Sequence, residues 1–66
     1  MKIVGDETGI AVLKDIRQER PEYLKFLITE ATTSTFQFVE FSSSDGRRYL
    51  LQWRSRTGEL IVKPLG

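Results

Sequence analysis

The sequence predicts an α+β domain: a C-terminal antiparallel β-meander of three strands, with room for a fourth, packed by one or two N-terminal helices. Three observations lead there. Asp45-Gly46 and Thr57-Gly58 separate three runs rich in β-branched and aromatic residues, and such dipeptides between apolar runs mark tight hairpins. Ile10, Val12, Leu13 and Ile16 then recur at helical spacing, as do Leu24, Leu27, Ile28 and Ala31. Between these two groups Arg20-Pro21 makes a break, because the residue before proline avoids helical backbone angles.

The 66 residues suit one domain, 1–66, with 9–31 mainly helical and 35–63 forming the meander. A chain of this length buries only about 60% of its unfolded surface, so its stability is marginal. Leu, Ile, Val and Phe supply 20 of the 66 residues, above the roughly 20% below which disorder becomes the default. A folded core is expected.

Thr8 is a candidate cap for the first helix, although nothing completes a capping box. Pro21 and Glu22 suit the first turn of a second helix: proline there sacrifices no hydrogen bond, and glutamate meets the positive end of the dipole. Thr32-Thr33-Ser34 ends it. In an alternative reading, Leu24, Phe26 and Ile28 alternate in a strand, and the protein is a small all-β barrel or roll. Lys2–Val4 reads as a short strand at a sheet edge. Lys63 and Pro64 guard the last strand, and Pro64, lacking an N–H, ends it.

If both turns are two-residue loops, Phe41 faces Leu50, Phe38 faces Trp53, Trp53 faces Val62 and Arg56 faces Glu59. Directly opposed residues share a face. The core face then holds Phe36, Phe38, Tyr49, Leu51, Trp53, Leu60 and Val62, interrupted by Glu40. The outer face carries an apolar band, Val39, Phe41, Leu50 and Ile61, bordered by Arg48, Arg54, Arg56 and Lys63. These eight are the candidate binding residues.

Charge is uneven along the chain. Residues 1–46 hold five basic and eight acidic residues, and residues 47–66 hold five basic residues against Glu59, for a net charge of +1. The asymmetry implies a basic sheet, unless the two halves neutralise each other when packed.

The chain has neither His nor Cys. That removes two common routes to nucleophilic and general-base catalysis near neutral pH, and the main zinc ligands. Glu19 and Glu22 are parted by Arg20-Pro21, Ser42-Ser43-Ser44 has no base beside it, and Gly5-Asp6-Glu7-Thr8-Gly9 lacks the spacing of a phosphate loop. No enzymatic activity, catalytic residue, metal, cofactor or small-molecule substrate is expected. Absence of Cys and an acidic N-terminus point to the cytoplasm. No run is long enough to span a membrane.

What remains is binding. The expectation is a small intracellular module, regulatory or accessory, acting through protein–protein contacts on the outer sheet face, with a different protein or with a second copy as a homodimer. The alternative is a nucleic-acid-binding domain that stacks bases on Phe41 and holds phosphates with the surrounding Arg and Lys. A near-neutral domain with one outer aromatic ranks this second.

Overall fold

Among the described residues, two helices cover one face of a four-stranded mixed sheet and leave its other face bare. The computed structural model describes residues 2–65. The elements run β1 (Lys2–Gly5), α1 (Glu7–Glu19), α2 (Pro21–Thr33), β2 (Phe38–Ser42), β3 (Arg48–Arg54) and β4 (Glu59–Leu65). The sheet order is β1-β4-β3-β2. Strands β2, β3 and β4 form the expected antiparallel meander. The fourth strand, β1, adds to it in parallel with β4, so the sheet is mixed and does not close into a barrel.

Residues 22–31 are helical, within α2, as the proline at its first position favours. The α1 cap is Asp6 rather than Thr8: the Gly9 N–H donates to Asp6 Oδ2 at 2.8 Å. Asp6 serves because β1 feeds straight into α1. Gly5 makes that junction at φ +118°, where a Cβ would overlap the Val62 carbonyl oxygen. The Asp6 N–H donates to that same oxygen at 2.9 Å.

The core consists of Leu13 and Ile16 from α1, Leu27 and Ala31 from α2, Phe41 from β2, Tyr49 and Leu51 from β3, and Leu60 and Val62 from β4. Ile3, Val39 and Trp53 pack against it. No buried polar side chain among the described residues lacks a hydrogen-bond partner.

Both turns are longer than the two-residue loops expected. Ser43 pairs with Arg47, its N–H donating to the Arg47 carbonyl at 2.8 Å, and Gly46 returns a bond to the Ser43 carbonyl at 3.1 Å. The loop is therefore Ser44-Asp45-Gly46, with Gly46 left-handed at φ +89°, a three-residue hairpin. The β2–β3 register moves by one residue, so that Phe41 faces Tyr49 and Phe38 faces Gln52. Such a shift turns every β2 side chain to the other face. Val39 and Phe41 point into the core, and Phe36 and Phe38 do not: Phe36 is 76% exposed and Phe38 39%. The strand also starts at Phe38 rather than Thr35, because Gln37 sits at φ +59°. The second loop is Ser55–Gly58, four residues between the paired Arg54 and Glu59. That shift is even, so Trp53 meets Leu60 instead of Val62 and the inward faces of β3 and β4 stand as expected.

Strand β4 runs through Pro64 to Leu65. The Trp53 N–H bonds the Gln37 carbonyl, so residues 49, 51 and 53 bond β2, and residues 48, 50, 52 and 54 bond β4. Pro64 faces Tyr49, so its missing donor lies on the side away from β3, past the end of β1. The expectation that Lys63 and Pro64 protect a bare β4 edge is also corrected: β1 covers that edge, and among the described residues the free meander edge is β2.

Two predictions follow from this packing. Phe41→Ala should cost about 3–5 kcal/mol and Phe38→Ala far less, measured by denaturant unfolding; the opposite order would restore the two-residue turn. Gly9→Ala should destabilise the fold even though alanine is the better helix former by about 1 kcal/mol. A Cβ there would collide with Val62 Cγ1 and stand 3.0 Å from Tyr49 Cδ1, and overpacking of this kind costs about 1–3 kcal/mol. A raised melting temperature in Gly9→Ala would contradict the close approach of α1 to the sheet.

Candidate binding surface

The helix-free face can be read row by row from the strand registers. Its central row runs Val4, Ile61, Gln52, Phe38 across all four strands. The next row is Lys63, Leu50, Glu40, and beyond it come Leu65, Arg48, Ser42. On the opposite side of the centre lie Lys2, Glu59 and Arg54. An apolar centre of Val4, Ile61, Leu50 and Phe38 is thus bordered by charge on two sides. Val4, Leu50 and Ile61 are half-buried by their sheet neighbours, and they stand apart from the core cluster on the other face.

Five of the eight candidate residues meet here: Arg48, Leu50, Arg54, Ile61 and Lys63. Three do not. Val39 and Phe41 belong to the core, with Phe41 stacked on Tyr49 at 5.4 Å between ring centroids. Arg56 lies in the Ser55–Gly58 turn and does not face Glu59, because Arg54 takes that position. Sequence reasoning missed Val4 and Phe38. The signal for Phe38 was present: Glu40 sat in the expected core face, and moving β2 by one residue sends Glu40 outward together with Phe38. For Val4 no local signal existed, since its place depends on the parallel pairing with β4.

The electrostatics of the face are mild. Four cations, Lys2, Arg48, Arg54 and Lys63, stand against Glu40 and Glu59. The Arg48 guanidinium donates to Glu40 Oε2 at 2.7 Å, and Glu59 is in register between Lys2 and Arg54. Two of the four positive charges are therefore offset locally. Arg48 and Glu40 are both exposed, so their pair adds little to stability.

At the β2–β3 turn the Ser43 hydroxyl donates to Asp45 Oδ1, and the Arg47 N–H reaches the same oxygen at 3.4 Å. The Arg47 Nε lies 3.4 Å from Asp45 Oδ2. The Ser43 hydroxyl first, then the Arg47 backbone and charge, hold the Asp45 carboxyl below its ordinary value.

No group of three His, Cys, Asp or Glu among the described residues is placed to hold a metal ion. No helix among them is long and apolar enough to cross a membrane. No family model, curated protein or solved structure matches the chain.

The Asp45 shift sets a pH test. A carboxyl whose folded pKa is lowered adds stability above its unfolded pKa, and loses it as pH falls through the folded one. Ser43→Ala should raise the Asp45 pKa toward its ordinary value, read from the carboxyl carbon resonance in an acid titration. An unmoved pKa would mean the hydroxyl does not hold this turn.

Proposed function

We propose that this chain is a small non-enzymatic binding module of the cytoplasm, regulatory or accessory, which docks another protein on the helix-free face of its sheet. The observation that carries the reading is the uncovered apolar centre, Val4, Phe38, Leu50 and Ile61, within a border of Lys and Arg. Apolar patches on small proteins usually mark contact surfaces. Arginine and aromatic side chains with an apolar middle are what interface centres are made of. The partner that fits is a protein surface with an apolar centre and acidic margins.

A second reading, nucleic-acid binding, draws on Phe38. This ring is exposed beside Gln52, with Phe36 at 6.2 Å between centroids, and bases stack on such rings. It ranks second because Glu40 and Glu59 sit among the cations and weaken the field that gathers phosphates.

A photo-crosslinking side chain at Leu50, with one at Gln18 on α1 as the control, tests both readings in cells. Protein adducts at position 50 and not at 18, lost in Ile61→Asp with the fold intact, are the expected result. Adducts to nucleic acid would favour the second reading, and Arg54→Ala should then lower the salt slope of binding by about one. Equal labelling at positions 50 and 18 would remove the sheet face from consideration.

A further inference from the structure

We propose that the free edge of β2, together with the adjoining flank of α2, seats a second copy of this chain, the two β2 strands pairing antiparallel about a two-fold axis. This edge is a separate surface from the helix-free face, and the two meet at Phe38.

The large exposed apolar side chains gather at this edge. Phe26 is 53% exposed, Phe36 76% and Phe38 39%. Phe26 and Tyr23 stack with ring centroids 6.3 Å apart. Leu24, one residue on from Tyr23, turns toward Ile3, Ile10 and Leu13 on the α1 side. The helical pitch of about 100° per residue therefore puts Tyr23 and Phe26 on the opposite flank. Tyr23 there shares an open hollow with Glu40, Phe41 and Ser42 of β2. Aromatic rings thus bracket the edge in both layers, Tyr23 and Phe26 with the helices, Phe36 and Phe38 on the bare side.

The strand edge is ready to pair. Because Gln37 and Ser43 bond to β3, alternation directs the backbone N–H and C=O groups of Phe38, Glu40 and Ser42 outward. Among the described residues no strand takes them. The usual protections of an edge are lysine, proline or a bulge, and Phe38–Ser42 has none. Its one charge, Glu40, is held by Arg48 at 2.7 Å.

A second copy satisfies the self-complementarity that a two-fold axis demands. With the axis at Glu40, the large Phe38 of each strand lies opposite the small Ser42 of the other, and Val39 lies opposite Phe41. The two Glu40 carboxylates meet at the centre with both Arg48 guanidinium groups beside them, a quartet of zero net charge. The helix layer fits as well. Strands are about 4.8 Å apart, so a helix over the β2–β3 pair lies about 5 Å from the axis, and the two α2 helices come about 10 Å apart, the contact distance of packed helices. Phe26 and Tyr23 fill that seam.

Sedimentation equilibrium over a wide concentration range, with amide hydrogen exchange at its two ends, tests the proposal. Dimers are expected at high concentration, with exchange slowed there at Glu40 and Ser42. Phe26→Lys and Phe38→Lys should each raise the dissociation constant at least about tenfold, with the circular dichroism unchanged and the unfolding midpoint little changed at the dilute end, where the chain is monomeric. A synthetic chain N-methylated at Glu40, which loses one outward donor and keeps every side chain, should stay monomeric. A monomer at every concentration would overturn the proposal. So would a dimer that leaves the Glu40 and Ser42 amides exchanging as fast as in dilute solution, because the copies would then meet elsewhere. Crosslinking from Leu50 reads the helix-free face by itself, so failure of one surface does not imply failure of the other.

Discussion

The pairing of Ser43 with Arg47 across Ser44-Asp45-Gly46 governs much of this molecule. It is a short device, two backbone bonds and one left-handed glycine, but it sets the register of β2 on β3. Register decides which side of β2 is buried. With this turn, Val39 and Phe41 close the core beneath α2, and Phe38 and Glu40 pass to the bare face. A loop one residue shorter would bury Glu40, and a carboxylate among Leu27, Leu51 and Tyr49 would have to find a partner or lose its charge. The hydrophobic effect and the turn therefore agree, and the sidedness of β2 follows from both.

The other end of the molecule depends on the approach of α1 to β4. Gly5 and Gly9 bring backbone against Val62 where a methyl group would not fit, and Asp6 between them caps the helix. That junction lets β1 lie parallel to β4 while the chain turns back over the sheet at once. With β1 seated, the β4 edge is closed, and among the described residues β2 is left as the open edge. The same junction adds Val4 and Lys2 to the helix-free face. One local packing arrangement thus closes one edge of the sheet and completes its helix-free face.

The helix-free face is a mixed surface rather than a strongly charged one. Its cations alternate with Glu40 and Glu59, so long-range attraction is weak, and the docking proposed above would draw its affinity from contacts at Val4, Leu50, Ile61 and Phe38. A partner docked on such a face would be selected by shape and short-range pairing. That suits a folded protein surface better than a phosphate backbone, whose binding depends on uncompensated positive charge.

The sequence by itself determined the class and most of the elements. Pro21 divided the helices, Asp45-Gly46 and Thr57-Gly58 marked the hairpins, and the alternation of Tyr49, Leu51 and Trp53 with Leu60 and Val62 named the inward faces of β3 and β4. These are local signals, because turn chemistry and side-chain periodicity act within a few residues. Loop length was less legible: a Gly after Asp serves a two-residue and a three-residue turn alike, and that single residue separates Phe41 in the core from Phe41 on the surface. Tertiary structure alone decided the facing of β2, the parallel seat of β1, the gathering of Val4 with Ile61, and which strand edge was left open. Each of these depends on contacts between residues far apart in the chain, where the burial of a whole layer, rather than the preference of any segment, fixes the outcome.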